Sequence, residues 1–233
     1  LNKYGSREMD RIGKIRELYG SRIALKALQL EAIKLNVKEP FLWTSGYRMP
    51  IYNDNRRLLA SPEVRHTIAE GFSEIIGALN IEVDNIAGTS TAGIPPATTL
   101  ADLINKPLSY VRSSEKSHGL KNVIEGLGSD GSYHHQRVIL IEDLFSTGGS
   151  SIKAINAIRE AEGDVSYCLA IFTYGLKASV EAFEALRPPC MPITLLDYES
   201  LVETALEEGY VKKEEAEILA KWKEDPFNWA KGL

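Results

Sequence analysis

Between residues 85 and 186 short apolar runs alternate with longer amphipathic ones, an order that few folds accept. "NIAG" at 85–88 reads as a strand, 93–104 as a helix and "LSYV" at 108–111 as a strand. Residues 137–142 read as a strand, 149–161 as a helix, 165–173 as a strand and 176–186 as a helix. Strands that alternate with helices predict an α/β fold, a parallel sheet flanked by helices, with ligands bound where the strands' carboxyl ends open into loops.

Three segments follow from this frame: 1–60, a core at 61–197, and a charge-rich helical extension at 198–233 whose helix runs to about 224 and stops at "DPFNW". Apolar residues at 25, 28, 32 and 35 with Ser21 ahead of them predict a capped helix over 22–35, and a β-like region covers 41–54. "SPEV" at 61–64 places a serine cap before a first-turn proline, opening a helix to about Leu79. The stretch 113–136 is mostly polar, too long for a plain connection, and holds a possible short strand at 122–125.

The stretch richest in chemistry is "VILIEDLFSTGGSSIKAI", Val138 to Ile155. Glycines at 148 and 149 permit positive φ and close approach, so that successive N–H groups and a helix N-terminus converge on one anion. Hydroxyls of Ser146, Thr147 and Ser150 add donors suited to phosphate. No Gly-Lys-Ser/Thr follows, and the glycine spacing fails the dinucleotide fingerprint. Glu142 and Asp143 cannot face the phosphate, because like charges repel in a poorly screened pocket. They suit the vicinal hydroxyls of a sugar, with Asp143 near positive charge developing at the ring. A lone acidic pair would read as a solvated strand end; the whole arrangement reads as a sugar 5-phosphate site.

"YVRSSEKSHGLKN" brings Arg112, Lys116 and His118 within seven residues, with Gly119 loosening the chain beyond them. Beside a sugar-phosphate motif, such a loop implies a second anionic group on the ligand. The formal charge of −5 argues against nucleic acid as the main partner. Two cysteines, Cys168 and Cys190, lie in apolar surroundings without a disulfide framework, which points to a reducing compartment. No signal-like or membrane-length apolar run is present, so the expected location is the cytoplasm, away from the membrane.

"IEDLFSTGGSS" resembles the phosphoribosyl pyrophosphate motif of the type I phosphoribosyltransferases, and "YVRSSEKSHGLKNVIEG" resembles the catalytic loop of their orotate branch. "FLWTSGYRMPIYNDNR" at 41–56 and "AGTSTAGIPPATTLAD" at 87–102 are similar to the same branch, in the same order. The resemblance implies transfer of a 5-phosphoribosyl group from phosphoribosyl pyrophosphate to orotate, with 1–60 supplying a substrate hood. It implies Mg2+ accompanying the pyrophosphate, with no protein metal ligand assigned, and a homodimer that shares the 112–121 loop between subunits. The positions it marks for the donor are Arg112, Lys116 and His118 at the pyrophosphate, and Glu142, Asp143, Leu144, Phe145, Ser146, Thr147, Gly148, Gly149 and Ser150 at the ribose phosphate. Ser146 also touches orotate, and Lys116, His118 and Asp143 are the expected catalytic groups.

Some members carry lysines where this chain has Ser113 and Ala92, which leaves open how the pyrophosphate charge is shared between protein and metal. Arg48 and Arg56 are either partners of the orotate carboxylate or surface arginines. His66, His134 and His135 read as surface positions, Trp43 as packing, and Phe227 and Trp229 as packing on the body or a second subunit. Transfer to another base, and a noncatalytic sensor of the donor, are the competing readings.

Overall fold

A computed structural model describes residues 6–43, 46–113 and 123–229. The chain opens with helix α1 (Ser6–Ile15), which runs through a π turn (Arg16–Gly20) into α2 (Ser21–Gln29). Ser21 is therefore no cap: it lies inside a continuous helical run, and its Oγ donates to the Glu17 carbonyl at 2.8 Å. The helix also stops six residues short of the expected Leu35. Glu31 takes a positive φ of 52°, which ends the helix, and Ile33–Leu35 becomes strand β1. That strand pairs antiparallel with β4 (Ile51–Asn53), whereas β2 (Phe41–Leu42) pairs with β3 (Arg48–Met49) in a small hairpin.

A short 310 helix (Asn55–Ala60) leads into α3 (Pro62–Ala78), capped as expected by Ser61, whose side chain accepts from the Val64 N–H. The alternating region then follows the predicted order: β5 (Asn85–Thr89), α4 (Ile94–Leu103), β6 (Leu108–Val111), β8 (Arg137–Phe145), α5 (Gly149–Glu160), β9 (Asp164–Thr173) and α6 (Lys177–Glu184). The short strand expected near 122–125 is β7 (Ile124–Glu125). Strand β10 (Met191–Asp197) was not legible in the sequence, because Pro192 interrupts its apolar run. Proline is tolerated here because β10 is the sheet edge. Helices α7 (Tyr198–Glu207) and α8 (Lys213–Glu224) complete the chain.

The main sheet has the order β10-β9-β8-β5-β6-β7, parallel except for β7. From β5 the chain moves to β6 on one side and later returns to β8 on the other. The order therefore reverses between β5 and β8, and a crevice opens there at the carboxyl ends. One buried cluster lies on the face covered by α1–α4, α7 and α8 and includes Phe72, Ile75, Ile141 and Leu195. A second, with Leu140, Ile155, Ile158 and Phe183, lies under α5 and α6. Each such side chain, fully removed from water, contributes roughly 1.5–3 kcal/mol.

Close approach at two glycines packs the first layer onto the sheet. A Cβ on Gly20 would fall 2.6 Å from the Leu195 carbonyl oxygen, and one on Gly71 would fall 2.8 Å from a Leu195 methyl. Gly13, one helix segment earlier, has nothing within 4 Å of the same position. Gly20→Ala is expected to destabilise the fold by about 1–3 kcal/mol through overpacking against backbone, and Gly13→Ala to stabilise it by up to about 1 kcal/mol through helix propensity. Urea denaturation midpoints of the two variants check the contrast.

Candidate active site at the sheet crossover

β8 extends three residues beyond its predicted end at 142, so Asp143 as well as Glu142 sits within the strand. Alternation along the strand starts the two side chains on opposite faces, although their carboxyls still interact. Glu142 is 4% exposed, and protein donors surround its carboxylate. Thr89 Oγ1, at the end of β5, donates to Oε1 at 2.6 Å, and the Asp143 N–H to the same oxygen at 3.0 Å. Ser150 and Ser151, in the first turn of α5, donate to Oε2 at 3.1 and 3.4 Å. Glu142, expected to meet ribose hydroxyls, ties both strands of the crossover to the helix behind them.

Asp143 faces the 310 helix and keeps part of its surface open. Its carbonyl accepts from Asn55 Nδ2 at 2.9 Å, which seats the 310 helix beside the crevice. Burial, and then the neighbouring Glu142 charge, push the Asp143 carboxyl up to about 7. A cleft next to it is lined by Asn55, Arg56, Arg65, Ala92, Pro95 and Thr99, among others. Asn55 is 4% exposed, and its Oδ1 finds no protein partner.

The predicted anion cradle is accessible. Gly148 adopts φ 85° as the residue before α5, a conformation that favours glycine, and there is open space around Gly149. Thr147, Gly149 and Ser150 are exposed and Ser146 is half-buried, so the first-turn N–H groups of a twelve-residue helix open toward solvent. Leu144 and Phe145 differ in kind from these: Leu144 packs against the larger core, and Phe145 packs on Phe183 at 5.0 Å in the smaller one. Their side chains hold the loop's base in place.

Arg112 leaves the carboxyl end of β6, flanking the crevice from the far side of β5, and its Nη1 donates to Glu125 at 3.1 Å. Lys116 and His118 lie outside the described residues. Arg48 is exposed on the hairpin, and Arg56 lines the cleft while paired with Asp54, its Nε 2.6 Å from Oδ1. His66 is exposed, as are His134 and His135, which occupy a left-handed turn where His134 pairs with Asp130 at 2.8 Å. Cys168 and Cys190 are buried free thiols. Trp43 packs on Tyr174 and donates to the Ile51 carbonyl, as a packing residue should.

The loop 89–93, "TSTAG", carried no assigned site residue, yet it borders the same crevice. A Cβ on Gly93 would fall 2.4 Å from Thr89 Oγ1 and 2.5 Å from the Ile141 carbonyl oxygen, so only glycine lets the loop fold back onto β8. The signal was present: small and hydroxylated residues with glycine, directly after a strand, as in "STGGS".

Residues 54–174 match the family model for the phosphoribosyl transferase domain, which covers more than half of the chain. The orotate phosphoribosyltransferase of Listeria monocytogenes serotype 4b is 46% identical over 210 residues, 90% of this chain and 98% of the relative. The chain belongs to the orotate phosphoribosyltransferase family. The enzyme of that name from Halalkalibacterium halodurans is 45% identical over 88% of this chain and 94% of its own length. Among solved structures, orotate phosphoribosyltransferase from Aeropyrum pernix matches this phosphoribosyltransferase fold with a TM-score of 0.67 at 25% identity, over 82% of this chain and 99% of that one.

The raised carboxyl of Asp143 has a measurable consequence. The folded protein holds that proton up to about pH 7, whereas an unfolded aspartate releases it near about pH 4. Through that window stability falls as pH rises, and the full penalty applies above it. Asp143→Asn is expected to gain stability over the native chain at pH 8 and to gain much less near pH 4.5, as read from denaturant midpoints without ligand.

Proposed function

We propose that the protein transfers the 5-phosphoribosyl group of phosphoribosyl pyrophosphate to orotate, forming orotidine 5'-monophosphate and pyrophosphate in pyrimidine biosynthesis. One observation supports the reading: a chain that spans nearly all of its curated relatives at about 45% identity has an exposed glycine turn into a helix start, and a partly open carboxyl, at the crossover of its sheet.

In this reading the 5-phosphate lies on the backbone and hydroxyls of Ser146–Ser150, far enough from C1 that binding energy there aligns the reacting atoms. Asp143 faces the ribose and favours the positive charge that builds on the sugar as the C1–O bond to pyrophosphate breaks. Glu142 acts on the donor indirectly, by fixing Thr89 and the start of α5 against β8. Arg112 and Lys116 neutralise the departing pyrophosphate, with His118 as a donor to it. Closure of the 112–121 loop keeps water from the sugar cation. Orotate arrives already ionised, so a strong general base is not required.

The residues at the crevice fit Mg2+ carried by the donor. Among the described residues no cluster of three acids, histidines or cysteines could cage an ion. Magnesium is commonly held by one or two carboxylates plus substrate phosphates, and Asp143 is the acid placed to serve. When bound, the ion supplies charge neutralisation at the pyrophosphate. The reading also includes a homodimer that shares the loop across subunits, and work in the reducing cytoplasm. Support for the latter is the pair of buried free thiols; among the described residues no helix is long and apolar enough to cross a membrane.

Incubation with phosphoribosyl pyrophosphate and Mg2+ against a panel of bases tests the reaction: turnover of orotate alone supports it, turnover of another base or binding without turnover sinks it. Loop sharing has its own test. Lys116→Ala and Asp143→Asn should each be nearly inactive, yet unfolding and refolding them together should restore about a quarter of native activity, because half of the random dimers then hold one intact site of two. Absence of any restoration would place the loop in its own subunit's site.

A further inference from the structure

Three residues in the last turn of α8 and after it, Trp222, Lys223 and Phe227, reach toward one rim of the crevice. Trp222 is fully buried, and its Nε1 donates to Met49 Sδ at 3.2 Å. Its ring also lies 5.9 Å from Tyr174, edge-on, and 4.9 Å from Tyr198. Phe227 meets Tyr47 edge-to-face at 5.1 Å. Lys223 lies over Gly175, where a Cβ would come 3.0 Å from its Nζ.

Apart from Tyr198 at the start of α7, these partners belong to two different pieces of the crevice rim. Met49 is on β3, and Tyr47 just precedes it in the same hairpin; Tyr174 and Gly175 are the exit of β9. The pieces also touch each other, with Trp43 of the hairpin 5.4 Å from Tyr174. Tyr174 reaches the cradle as well, since its N–H donates to the Phe145 carbonyl at 3.3 Å, one residue before Ser146. An extension that served only to cover the core could rest on the α7 face alone. Here Trp222 keeps its contact with Tyr198 of α7 and also reaches the hairpin, and Phe227 packs on the hairpin beyond it.

On the transferase reading, a base joined to a ribose phosphate on the cradle lies toward the hairpin, which Trp43 and Tyr174 hold beside it. We propose that Trp222 and Phe227 are positioning residues which, together with Tyr174, clamp the β2–β3 hairpin at the separation the base requires, so that the C-terminal extension tunes affinity for the base and not for the donor. This rests on the transferase reading above. Neither residue needs to touch substrate: each acts through Tyr47, Met49 or Tyr174, and a one-ångström change in that separation weakens the base's contacts while the cradle's own backbone stays in place.

The test uses the full chain with Phe227→Ala, Phe227→Tyr and Trp222→Phe. Phe227 is 36% exposed, so its truncation leaves the fold intact even if the Trp222 variant proves unstable. Phe227→Ala is expected to raise KM for orotate about tenfold while KM for phosphoribosyl pyrophosphate stays within about twofold, and Phe227→Tyr to restore the native value. Parallel increases in both KM values, or a lowered melting temperature with both KM values unchanged, would overturn the proposal and leave the extension a structural cover. Native protein assayed first separates the two levels: if it does not turn over orotate, the transferase reading fails and the clamp with it.

Discussion

The carboxylate of Glu142 is the fastening on which the rest of the site depends. Three elements meet at the crossover, the ends of β5 and β8 and the start of α5, and each donates a hydrogen bond to this one buried group. An ionised carboxylate removed from water is costly unless its lone pairs are filled, and here hydroxyl and amide donors fill them. The arrangement is mutual: the charge needs those donors, and the donors' elements are held at one spacing by the charge. Gly93 belongs to the same construction, because any side chain there would collide with Thr89 and with the β8 backbone.

Once Glu142 is committed to the interior, its neighbour inherits a difficult position. Asp143 sits in partial burial beside a buried acid, and its proton is correspondingly hard to remove. In the proposed reaction this cost has a use. A site that disfavours a bare negative charge gains most when a positive charge develops next to it, so the destabilised carboxyl and the forming sugar cation relieve one another. The anion cradle solves the opposite problem with N–H groups of a helix start, and the two environments lie within one strand-to-helix turn.

Around this centre the fold adds rims of differing origin. The 310 helix is anchored through Asn55 to the backbone of Asp143, the hairpin is held by Trp43 and Met49, and the C-terminal helix reaches the hairpin and the exit of β9 through Trp222. Residues remote in sequence are thus adjacent at the crevice: Met49 and Trp222 are 173 positions apart and share a hydrogen bond.

The order of strands and helices was legible in the sequence because burial on two faces demands continuous apolar strands, and helices demand a 3.6-residue period. The Ser61 cap, the short β7 and the glycine turn into α5 were legible for the same reason, since each depends on neighbours in the chain. Four features were not. The helix breaks early at Glu31 because β1 gains a partner in β4, β10 tolerates Pro192 because it is an edge, and Trp222 finds Met49 across the molecule. Most consequentially, adjacent acids that were both expected to meet the ribose take different environments, Glu142 buried and Asp143 partly open. Residue type and local spacing determine which groups a loop or strand can offer, and they named Glu142 and Asp143 as a pair. Which of the two is buried depends on the length of β8 and on what stands behind each face, and only the packing of β5 and α5 against that strand decides it.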